Sequence, residues 1–133
     1  MRVPTLAALA LLAATPALAQ AEPPLTDALM KRYGAACLES KQANAGKPQS
    51  VESLRGVDLD AIPRKHGFKD AQEVMAIGLR VMNVESIQAV DPETLKMLLE
   101  SGGPDMKEKV AAAERDAPAV TANPEAVKAC KAG

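Results

Sequence analysis

The chain has 133 residues, with 16 Lys plus Arg against 17 Asp plus Glu, and only two aromatic side chains, Tyr33 and Phe68. A near-neutral balance with interspersed charges lacks the clustered basic face that nucleic acid or an anionic lipid surface calls for. So few rings also weigh against sugars, flat cofactors or unpaired bases as ligands, whose recognition commonly uses aromatic platforms.

In chain order, Arg2 precedes an apolar run over 6–14 and the small-residue site Ala17-Leu18-Ala19, the layout of a secretory signal peptide. Cleavage is expected after Ala19, with Ala19-Gln20-Ala21 offering a second site after Ala21. The run is too short, and too soon broken by Pro16, to cross about 30 Å of hydrocarbon, which takes about 20 apolar residues. A lipid anchor would need a cysteine directly after the cleavage site, and the first cysteine is Cys37. The most apolar later segment, 74–84, carries Arg80 and Asn83, so no transmembrane segment is expected after cleavage. The expected product is soluble, periplasmic or secreted. Its 114 residues, left of 133 once the first 19 are removed, form an extended segment over 20–25 and a single helical domain over 26–133. Loss of Arg2 takes the formal charge from −1 to −2.

Helix signals dominate from Thr26 onward, and no stretch alternates as a strand does. Thr26 or Asp27 caps a first helix reaching about Ala43, with Leu29, Tyr33, Ala36, Cys37 and Ser40 on one stripe, and Asn44 to Pro48 forms a loop. Residues 51–67 read as one or two short helices, with Gly67 at a left-handed C-terminal position. Asp70 and Glu73 resemble a capping box behind Phe68, opening a helix over about 70–89. Nine of its residues from 74 to 84 are apolar or small, too many for a single stripe, which predicts a central helix with the others around it. Asp91-Pro92-Glu93 starts a short helix that turns Leu95, Leu98 and Leu99 inward. Another opens at Pro104 with Met106, Val110, Ala113 and Ala117 on its packed face, and Pro118 is expected to stop it, leaving 119–122 as a linker. Pro124 opens a last helix through Lys131. The fold class is therefore all-α, a small bundle of about five to six helices around the central one.

Two cysteines, Cys37 on the first mature helix and Cys130 on the last, in an exported chain call for a disulfide tying the ends together. Neither belongs to a C-x-x-C pair or a C-x-x-C-H haem motif. His66, the only histidine, sits among Arg64, Lys65 and Gly67 and reads as a solvated cation at a helix end. Asp58-Leu59-Asp60 opens like a calcium loop, but Pro63 and Lys69 stand where such a loop needs Gly and Glu. Met30, Met75, Met82, Met97 and Met106 remain in the mature chain, first of all as packing residues.

These features point to an exported, non-enzymatic binding or interaction module of a bacterial-type cell envelope, monomeric or a small homo-oligomer. Its occupant would be an apolar ligand or an envelope protein, seated in a candidate groove of Ile77, Leu79, Val81 and Met82. No cofactor is implied. The alternative from another class is a soft-metal binder or copper chaperone using Met75, Met82, Met97 and His66. A small hydrolytic enzyme ranks last, since no G-x-S-x-G elbow or H-E-x-x-H motif occurs.

Overall fold

A computed structural model describes residues 22–48 and 50–131, so the expected signal peptide and both cleavage sites lie outside the described residues. Thr26, in extended backbone, accepts a hydrogen bond from the Leu29 amide and starts α1, Asp27–Asn44. After a 3-10 turn, Glu52–Leu54, comes α2, Ala61–Lys65, with Pro63 in its first turn, where the missing amide costs nothing. Gly67, at φ +83°, lets the chain leave α2 through a Schellman motif: the Phe68 amide donates to the Pro63 carbonyl and the Gly67 amide to that of Arg64. Phe68 is thereby buried, with the Arg32 guanidinium 5.2 Å from its ring centroid.

Asp70 caps α3, Ala71–Gln88, by accepting from the Glu73 amide at 2.9 Å. The expected reciprocal bond forms one residue early, Glu73 Oε2 accepting from the Lys69 amide. Asp91 caps α4, Pro92–Ser101, in the same way through the Thr94 amide. Then follow α5, Gly103–Ala122, and α6, Pro124–Cys130. No described residue belongs to a strand.

The expectation of a stop at Pro118 is not met: α5 runs through it to Ala122. Proline there forfeits one backbone hydrogen bond, to the carbonyl of Glu114, but both residues are on the exposed side, where water can satisfy that carbonyl. The turn is held from the other side, because Ala119 and Val120 are core residues.

The core gathers Met30, Tyr33 and Ala36 of α1, Ile77, Val81 and Val84 of α3, Ala113, Ala119 and Val120 of α5, and Ala126 of α6, closed by Leu25 and Phe68. It is α5 that touches α1, α3, α4 and α6 in turn, while α3 packs chiefly on α5. The helix expected to be enclosed is thus covered on one side only. Leu95, Leu98 and Leu99 of α4 are half-buried.

The first and last helices meet most closely. A Cβ placed on Gly34 would lie 2.7 Å from the Ala126 Cα, so glycine is what lets α6 approach. The Cys37–Cys130 disulfide spans a Cα separation of 5.0 Å and closes the bundle, as the cysteine positions predict.

Candidate functional site

An α-helix advances about 100° per residue, so positions three and four apart share a face. On α3, Ile77, Val81 and Val84 recur at steps of four and three and are buried. Met75, Leu79 and Met82 recur at the same steps on the opposite side, and they are 68%, 66% and 61% exposed. The 3.6-residue period therefore separates the expected groove residues: Ile77 and Val81 face the core, Leu79 and Met82 face solvent, and the four do not line a common groove.

All three charges on α3 are turned away from this outer stripe or occupied elsewhere. Glu73 accepts from the Lys69 amide, and Glu85 pairs with Lys131 at 2.9 Å. Arg80 forks onto Asp116 of α5, Nε to Oδ2 at 2.9 Å and an Nη to Oδ1 at 2.7 Å. What remains at the outer surface, Gln72, Met75, Ala76, Leu79, Met82 and Ser86, carries no charge.

The Arg80–Asp116 pair also fastens the segment before α1. Asp116 is 2% exposed and accepts the Leu25 amide at 2.9 Å, while Arg80 donates to the Pro23 carbonyl at 2.7 Å. Of the 20–25 segment, residues 22–25 belong to no helix or strand, and Leu25 is buried under this clamp. Sequence reasoning missed the clamp. Its available signal was the spacing of Asp116 from Ala113 and Val120, which puts a carboxylate on the packed stripe of α5. Asn123, also buried, is satisfied by donating to Asp27 and to the Ala119 carbonyl.

His66 is more engaged than a solvated cation. Its Nε2 lies 2.6 Å from Glu39 Oε2, and Lys65 holds the other oxygen of that carboxylate at 2.7 Å. These hydrogen bonds, from Lys65 first and His66 second, hold the Glu39 carboxyl below its ordinary range. Of the other soft-metal candidates, Met75 and Met82 share the outer face of α3, about 10 Å apart in helix rise, and Met97 is exposed on α4. Among the described residues no group of three or more His, Cys, Asp or Glu is placed to hold a metal ion. Both cysteines are in the disulfide, so neither is a free thiol nucleophile.

Two surface depressions border α1. One, of about 650 Å³, runs between α1 and α6 past Gly34, Ala35, Leu38 and Ala129, with Lys31 and Lys128 in its lining. The other, of about 390 Å³, lies between the end of α1 and the 50–59 connection. No described helix is long and apolar enough to cross a membrane.

Fold and surface together define a small all-helical domain, tied end to end by a disulfide. No family model, no curated protein and no solved structure matches the chain.

Proposed function

We propose that this protein is an exported, non-enzymatic interaction module, periplasmic or secreted, whose contact surface is the outer face of α3. The observation that carries this reading is the row of Met75, Leu79 and Met82, three large apolar side chains about two-thirds exposed on one helix with no charge among them. Isolated exposed apolar residues are ordinary, but a contiguous row is the usual mark of an interaction site. Unbranched Met side chains suit a surface that adapts to its partner. Export is supported by the layout of the first 19 residues and by the disulfide, which persists in oxidising compartments.

The test is photo-crosslinking in the native envelope, with a photoreactive residue at Leu79 and, as control, at the exposed Glu114 of α5. A protein adduct is expected from position 79 alone. No adduct, or equal adducts from both positions, would refute the reading. A Cu(I) site would use the same face through Met75 and Met82. Leu79→Glu separates the two readings, because it disrupts a protein contact while leaving both sulfurs in place.

A further inference from the structure

Gln72, Met75, Leu79, Met82, Ser86 and Ala89 follow one another at steps of three, four, three, four and three. That is the a/d pattern of a coiled-coil seam. On this protein the seam lies on the outside of α3 and its immediate C-terminal extension, and every member is exposed. A stripe this narrow fits a single helix laid alongside it better than a broad flat surface or a flexible ligand.

We infer that the occupant is the same stripe of a second copy of this chain, with the two α3 helices antiparallel about a two-fold axis near Arg80 and Val81. This rests on reading the outer face of α3 as a contact surface, and goes further by naming what covers it. In an antiparallel seam each a position faces a d position. About that axis Leu79 faces Met82, Met75 faces Ser86, and Gln72 faces Ala89, each pair occurring twice.

Two features favour this self-pairing. The first is volume: every layer away from the centre sets a larger side chain against a small one, so the spacing between helices stays even along the contact. A parallel pair would instead stack Met75 on Met75 and Ala89 on Ala89, and the helices would splay. The second is charge. Arg80 is held by Asp116 and Glu85 by Lys131, so no like charges of α3 meet across the seam, and antiparallel macrodipoles attract.

An 18-residue helix offers a contact about 27 Å long. The buried area is then at the small end of specific interfaces, below about 1,200 Å² in total. The dimer is weak and in exchange with monomer.

Sedimentation equilibrium of the signal-free chain, with its disulfide intact, from about 1 μM to 1 mM covers the relevant affinity range. The wild type should move from monomer to dimer across it. L79E and M82K should each be monomeric throughout, while Leu38→Glu, on exposed α1 surface, should behave as wild type. Circular dichroism would check that all variants are folded. Mixing L79E with M82K should restore a dimer, because the introduced charges face each other in the antiparallel register.

A wild type monomeric at every concentration overturns the inference, as does a dimer that survives L79E. Rescue by L79E with L79K, but not with M82K, overturns the antiparallel register. A monomer in solution that still crosslinks through position 79 to a different envelope protein would overturn self-pairing and leave the contact-surface reading standing. Absence of both would remove the two together.

Discussion

Replacing Asp116 tests whether the clamp between α3, α5 and the segment before α1 is structural. The Asp116 side chain is 4% exposed and its carboxylate accepts three hydrogen bonds: two from the Arg80 guanidinium and one from the Leu25 amide. Asp116→Ala would strand a buried amide and leave Arg80 without its closest counter-charge. Removing one partner of a fully buried pair costs about 3–5 kcal/mol. Here the Arg80 side chain is 24% exposed and Glu22 lies 3.5 Å from it, so water and a second carboxylate share the stranded charge. An estimate of about 2–4 kcal/mol follows, and for a domain near 100 residues each kcal/mol lowers Tm by about 4–8 °C. Asp116→Asn keeps Oδ1 as the acceptor for Leu25 but loses the charge and turns an NH2 donor toward Arg80 Nε in place of Oδ2, so its cost should fall below that of Asp116→Ala without vanishing. Urea unfolding of the oxidised protein gives these values, and hydrogen exchange at the Leu25 amide should quicken in both variants. A double-mutant cycle with Arg80→Met should return a coupling above about 1 kcal/mol. If Asp116→Ala costs less than about 1 kcal/mol at an unchanged m-value, or if the coupling is near zero, the clamp is not structural.

Cys130→Ser opens a loop with a sequence separation of 93, for which the chain-entropy relation gives about 4–5 kcal/mol. Hydrogen exchange should show α6 opening while α3 stays protected, and an unchanged Tm would refute this. Gly34→Ala gains about 1 kcal/mol of helix propensity but drives a methyl group into Ala126, so urea unfolding should find a net loss of about 1–3 kcal/mol, and a stabilised variant would refute the close approach. The Glu39 carboxyl is held below its ordinary value of 4.5, so its contribution to stability is full above that pH and lost as pH falls through the lower folded-state value. Glu39→Gln should therefore flatten the fall in stability on acidification below about pH 5, as read from Tm against pH, and an unaltered slope would refute the assignment.

Helix starts are legible in the sequence because they are set by chemistry within a few residues. Thr26, Asp70 and Asp91 each accept from the amide three positions on, and Gly67 takes the positive φ that its place after α2 demands. The disulfide is legible for a different reason, since a count of two cysteines in a chain expected to be exported leaves one intramolecular pairing. Pro118 is misleading because its local penalty is fixed while its context is not. One lost hydrogen bond on the wet side of α5 is outweighed by Ala119 and Val120 in the core, and only the tertiary packing shows which side is wet. The Arg80–Asp116 clamp is hidden for a related reason. A charge inside an apolar run reads as the exposed edge of the helix until its partner, 36 positions away, is placed against it.

For the outer face of α3, the difference between pattern and structure is itself informative. Composition shows that residues 74–84 hold more apolar surface than one stripe can use, and there are two ways to satisfy such a helix: neighbours of the same chain on every side, or neighbours on one side and something else on the other. The bundle covers this helix on one side only, because α5 alone packs extensively on α3, α1 and α6 are bound chiefly to each other, and α4 packs on α5. The surplus of Met75, Leu79 and Met82 is then left over once the core of this chain is complete. Removing it should not loosen the fold. Substituting Glu at Leu79 should leave Tm within a few degrees of wild type, as surface changes generally do. A large loss of stability in the monomer would mean that these side chains serve the core after all, and that the exposed face is not a surface for a partner.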